Sequence, residues 1–85
     1  MQAKELTITN AEGLRASRAA MFVQVAGGFT SQIFVEKGNK KINAKSIMGV
    51  LSLGVGPGEK IYVFANGKDE KEAIEAIERL VNTEF

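Results

Sequence analysis

Residues Glu5 to Thr9 alternate apolar and polar side chains, with Leu6 and Ile8 on one side and the β-favouring Thr7 and Thr9 on the other, which is the period of a half-buried strand. Asn10-Ala11-Glu12-Gly13 ends that strand in a turn, where Gly13 can take the positive φ that other residues resist. From Ala16 to Ala26 the period changes. Ala19, Met21, Phe22, Val25 and Ala26 recur at spacings of three and four, one face of a helix, with Ser17, or a start one or two residues earlier, as candidate cap and Gly27-Gly28 as a left-handed stop.

Ser31 to Lys37 and Lys41 to Ala44 return to extended patterning, with Ile33, Val35 and Ile42 as the inward positions. The Gly38-Asn39 pair between them suits a tight hairpin turn. Ser46-Ile47-Met48-Gly49-Val50-Leu51-Ser52-Leu53 reads as a short helix with Ser46 at its N-cap. Pro57 and the glycines around it close that segment. Ile61 to Ala65 is the most strand-like run, and Asn66-Gly67 turns it. Asp69 to Val81 then places Ala73, Ile74, Ile77, Leu80 and Val81 on one helical face with Glu and Lys opposite.

The order βαββαβα, without repeat or linker, predicts an α+β open-faced β-sandwich. It is a four-stranded antiparallel sheet covered on one face by helices. With 85 residues the chain suffices for a single domain spanning 1–85 and is too short for two separate cores.

Composition narrows the chemistry. There is no Cys and no His, so disulfides and thiolate chemistry are absent and the common zinc constellations lose their usual ligands. Charge is near balance at +1, too weak a field to draw the chain to nucleic acid or an anionic membrane. The N-terminal MQAKELTITN lacks the pattern of a secretory signal, and no run approaches the ~20 apolar residues of a membrane span, so a cytoplasmic protein is expected. No nucleophile–base pair or ligand cluster of useful spacing points to an enzyme or a cofactor. The glycines of Gly54-Val55-Gly56-Pro57-Gly58 lack the Lys-[Ser/Thr] of a phosphate loop and read as a turn.

From Thr7 to Val81 the chain resembles HPr, the small phosphocarrier of the sugar phosphotransferase system. The matching pieces are Asn10-Ala11-Glu12-Gly13-Leu14, Ala19-Ala20-Met21-Phe22-Val23-Gln24, Gly67 through Ala73 and, most specific, Asn43-Ala44-Lys45-Ser46-Ile47-Met48-Gly49. HPr proteins carry their acceptor histidine in a Gly-[Leu/Ile]-His-Ala-Arg-Pro-Ala run. Here the run reads Gly13-Leu14-Arg15-Ala16-Ser17-Arg18-Ala19. A guanidinium stays protonated and offers no nucleophilic lone pair, so a chain without histidine cannot relay phosphate as phosphohistidine.

The family's second chemistry matches Ser46. In HPr proteins of Gram-positive bacteria that serine is phosphorylated by an HPr kinase/phosphorylase, and the product is corepressor of a LacI-type catabolite regulator. Histidine-lacking relatives of the catabolite-repression HPr (Crh) type keep only this role, and the chain resembles them. The resemblance implies docking to such a regulator or to a metabolic enzyme through Arg15, Ser17, Arg18, Met21, Gln24, Ile47, Met48 and Leu51. It also leaves a strand-swapped homodimer open.

A bland reading stands beside each of these. An isolated Ser before a helix is ordinarily only a cap, and an apolar triplet such as Ile47, Met48 and Leu51 is ordinarily core. Within NAKSIMG the regulatory reading of Ser46 prevails. A helix this short cannot turn every apolar side chain inward, so Ile47 and Met48 are expected to face water. Arg15 and Arg18 are either solvated charges or cations available to the Ser46 phosphate or a partner's acids. The family's regulator-binding Arg corresponds to Ser17. Arg18 lies one step further, a turn of about 100° around the helix. The rival to a phosphorylated switch is a binding module or inhibitor that uses the same patch without phosphate.

Overall fold

A computed structural model describes the backbone of residues 1–84 and the side chains of residues 1–82. The chain runs β1 (Gln2–Thr7), α1 (Ala16–Gly27), β2 (Gln32–Lys37), β3 (Lys40–Asn43), α2 (Ile47–Ser52), β4 (Lys60–Asn66) and α3 (Glu70–Arg79), and α3 continues into a π-helical turn over Leu80–Glu84. The strands form one antiparallel sheet in the order β1-β4-β2-β3. This is the predicted open-faced sandwich.

Strand alternation builds the core. Leu6, Ile33, Val35, Ile61, Val63 and Ala65 turn to one face and are buried. Against them pack Phe22 of α1, Val50 of α2 and Ile77 of α3, each with no exposed surface. The opposite face is open. There Tyr62 is exposed, and the Lys41 ammonium lies 4.3 Å from the centre of the Phe64 ring and 5.4 Å from that of Phe34, a cation–π arrangement that shields both rings.

The structure moves several boundaries. β1 starts at Gln2, ahead of the expected Glu5, because pairing is a backbone property: the ladder with β4 runs from Gln2↔Ala65 to Thr7↔Lys60 through residues whose side chains do not alternate. Ile8 lies beyond the strand but keeps its pairing character, its N–H donating to the Glu59 carbonyl at 2.9 Å. Ser17 does not cap α1. The N-cap is Arg15, in extended conformation and without a side-chain cap bond. Its carbonyl accepts from the N–H groups of Arg18 (2.9 Å) and Ala19 (3.3 Å), so Ser17 falls inside the first turn. Nor is the C-terminal stop left-handed: Gly28 has φ −77°, and the end closes by i→i−3 bonds from Gly28 to Val25 and from Phe29 to Ala26. Gly13 does take the positive φ expected, at +73°.

Candidate functional site

Five residues of the NAKSIMG segment have local tasks. The Asn43 side chain accepts from the Lys45 N–H at 2.8 Å, and the Asn43 carbonyl accepts from the Ser46 N–H at 3.1 Å, which turns the chain sharply off the sheet edge. Ala44 is fully buried and donates its N–H to the Ile33 carbonyl at 2.8 Å. Lys45 reaches away, its ammonium donating to the Phe29 carbonyl just past α1 at 2.6 Å. Ser46, in extended conformation, accepts the Gly49 N–H on its hydroxyl oxygen at 3.1 Å, the N-cap bond expected from the sequence. A Cβ at position 49 would stand 3.3 Å from Ile42 Cβ and 3.4 Å from Ser46 Oγ. Glycine is therefore the residue that lets the first turn of α2 lie this close to β3 and to the serine.

The other end of α2 is held by lysines. Lys37 donates to the Leu53 and Gly54 carbonyls at 3.4 and 3.0 Å and pairs with Glu59 at 2.9 Å. Lys40 donates to the Ser52 carbonyl at 2.9 Å. Ammonium groups at a helix C-terminus satisfy its free carbonyls and meet the negative end of its dipole. The N–H of Gly56, together with Lys37, holds the Glu59 carboxyl below its ordinary pKa. These anchors join residues 12 to 22 positions apart in the chain, beyond the reach of local spacing rules.

Between these anchors α2 buries one side chain. Val50 is sealed, whereas Ile47 is 39 %, Leu51 41 % and Met48 74 % exposed. Three apolar residues facing water beside an exposed Ser46 are unusual for a helix with a single buried position, and this is the exposure expected of Ile47 and Met48. α1 packs beside α2. On it Ser17, Met21 and Gln24 follow at spacings of four and three and share a face. Ser17 and Gln24 are exposed, and Met21 is half-buried against the core.

The two arginines differ. Arg15 is exposed. Arg18 is tied back to the Asn10–Gly13 turn, its Nη1 donating to Glu12 Oε1 at 2.8 Å, and its Nε is buried without a hydrogen-bond partner. Of the two, Arg18 has an acidic partner in Glu12 and Arg15 is exposed. Between them Ala16 has φ +47°, a left-handed conformation that costs an L-residue about 1–2 kcal/mol.

Among the described residues no group of three or more acidic, His or Cys side chains gathers as a metal site, and no helix is long and apolar enough to cross a membrane. A cleft lined by Glu75, Glu78, Arg79 and Asn82 shares no residue with the patch. What the arrangement offers is a surface: one exposed serine, its hydroxyl oriented by the Gly49 N–H, followed along α2 by exposed apolar side chains.

The model of the family described as "PTS HPr component phosphorylation site" matches residues 2–83. The chain belongs to the HPr family. It is 48% identical over 84 residues to the HPr-like protein Crh of Halalkalibacterium halodurans, covering 99% of this chain and 100% of that one. The solved structure of HPr-C-His from Thermoanaerobacter tengcongensis superposes with a TM-score of 0.98 at 52% identity, covering 100% of this chain and 96% of the other. That of Bacillus subtilis Crh, described as a swapping dimer, gives a TM-score of 0.77 at 45% identity and covers 96% and 94% of the two chains. HPr-family membership is thus fixed by sequence and fold together.

Proposed function

We propose that this HPr-family chain is a non-catalytic, cytoplasmic regulator: Ser46 receives phosphate from an HPr kinase/phosphorylase, and the modified face docks a LacI-type catabolite regulator or a metabolic enzyme. The observation that carries the reading is the exposed Ser46 hydroxyl at the start of α2 with Ile47, Met48 and Leu51 uncovered around it. In the transfer the serine oxygen bonds the γ-phosphorus of ATP as the β–γ bridging bond breaks and ADP leaves, and the serine proton passes to a base of the kinase.

The site suits that change. An N-cap position tolerates added negative charge, because free N–H groups and the positive end of the helix dipole face it, while roughly −1.5 to −2 charges appear beside an apolar patch. Ser46 is exposed, and the core side chain of α2 is that of Val50, whose N–H donates to the Ser46 backbone carbonyl at 3.0 Å, an atom the phosphate leaves untouched. The absence of histidine from the sequence closes the phosphohistidine route to the chain, and the relatives named HPr-like protein Crh support the regulatory one. A homodimer is part of the proposal. β1 lies at an edge of the sheet, joined to α1 by the loop that contains Gly13, and Crh of Bacillus subtilis supplies a dimeric precedent.

Titrating a LacI-type regulator with phosphorylated wild-type chain, unphosphorylated wild-type chain and Ser46→Ala tests the reading. Binding confined to the phosphorylated wild type supports it. Equal binding by all three would mean a phosphate-independent docking module on the same patch.

A further inference from the structure

Three methionines and no cysteine or histidine leave the thioether as the side chain of this protein most open to two-electron oxidants. The three sulfurs have different surroundings. Met1 and Met48 are 71 % and 74 % exposed, whereas Met21 is half-buried against the core. Met1 stands at the start of β1, its ammonium paired with Glu70 at 3.0 Å, among none of the residues of the Ser46 patch. Met48 stands two residues from Ser46, between Ile47 and Leu51, and is the most exposed member of the apolar surface.

We propose that Met48 is a reversible oxidation site that controls docking at Ser46, an inference that rests on the docking function proposed above. In the forward step a sulfur lone pair of Met48 attacks one oxygen of hydrogen peroxide. An S–O bond forms as the O–O bond breaks, the sulfur loses two electrons, and the departing hydroxide takes up the proton to leave as water. In the reverse step a thiol-dependent sulfoxide reductase returns two electrons, two thiols become a disulfide, and the oxygen leaves as water.

The consequence follows from where Met48 lies. A sulfoxide oxygen is a strong hydrogen-bond acceptor, and a partner surface matched to a thioether offers it no donor, so docking must bury it unpaired. The fold is spared. α2 is held by Val50, by the Ser46 cap and by Lys37 and Lys40 at its far end, none of which involves the Met48 sulfur.

The test treats the full chain with hydrogen peroxide, follows oxygen uptake at each methionine by peptide mass, and measures Ser46 phosphorylation by an HPr kinase/phosphorylase before and after. Met1 and Met48 gain oxygen together and Met21 later. Oxidised wild type loses about tenfold in kcat/KM, keeps its Tm, and recovers on treatment with sulfoxide reductase and thiol. Met48→Leu, whatever its own starting rate, holds that rate through peroxide although Met1 is still oxidised. Equal rates for oxidised and reduced wild type overturn the switch, as does peroxide sensitivity that survives Met48→Leu. A loss of Tm on oxidation overturns it too. Reduced wild type that accepts no phosphate overturns the Ser46 reading itself, and the switch with it.

Discussion

Replacing Ser46 by Ala removes the hydroxyl that accepts the Gly49 N–H at 3.1 Å. α2 has only six residues, so no neighbouring turn can absorb the loss. An N-cap Ser→Ala change costs about 1 kcal/mol. For 85 residues, an unfolding entropy of about 2.1 cal/mol/K per residue sums to roughly 180 cal/mol/K, and the loss becomes a fall in Tm of about 5–6 °C. Ser46→Asp keeps an oxygen at the cap and adds a negative charge at the helix start, so its Tm should return to within about 2 °C of wild type. Scanning calorimetry at pH 7 on the three proteins decides the matter. A Ser46→Ala protein within about 1 °C of wild type would refute the assignment of the hydroxyl as a structural cap. The magnitude also bears on function, because a domain stable by 5–15 kcal/mol remains folded after losing ~1 kcal/mol, and lost partner binding in Ser46→Ala cannot then be blamed on unfolding.

Four further outcomes follow from particular contacts. Met48→Ala should leave the unfolding free energy from urea denaturation within about ±0.5 kcal/mol of wild type while weakening partner binding, since its side chain is exposed. Phe22→Ala, fully buried, should cost about 3–5 kcal/mol in the same denaturation series. Gly13→Ala should lose about 3 kcal/mol or fail to fold, because φ is +73° and a Cβ would run into the Val55 carbonyl. Asp69 is held at a pKa of about 2, below the ordinary carboxylate range, chiefly by the Ser31 hydroxyl and the Thr30 N–H. Its proton is bound more weakly folded than unfolded, so its stabilisation is complete above the ordinary carboxylate range and lost as pH falls towards 2. Asp69→Asn should therefore flatten the acid limb of a Tm-against-pH curve between about pH 4 and 2; an unchanged limb would contradict the clamp.

What the sequence made legible was local. Periodicity placed all four strands and the three main helices, because each inward position is decided by its own neighbours along the chain. The Ser46 cap was readable for the same reason: donor and acceptor lie three residues apart. Missed features depend on partners far away in the chain. Asp69 looked like the first residue of the last helix, yet its carboxylate accepts from the N–H groups of Thr30 and Ser31 at 2.9 and 3.0 Å and from the Ser31 hydroxyl at 2.5 Å, across 38 and 39 residues. No spacing rule announces a bond of that range. Arg18 was open to two readings until its pairing with Glu12 appeared, and the Gln2–Lys4 end of β1 is set by the β4 backbone. At the candidate site, the NAKSIMG resemblance pointed to Ser46 and the shortness of α2 to its exposed apolar side chains, while the lysines that brace α2 depend on contacts 12 to 22 residues away in the chain.

The most direct measurement is the intact mass and fragment map of the chain after incubation with an HPr kinase/phosphorylase and ATP. A gain of one phosphate, assigned to the serine of the NAKSIMG segment and absent from its alanine variant, is the expected result. No mass change, or phosphate carried by another residue, would contradict the claim that this hydroxyl is the regulatory switch.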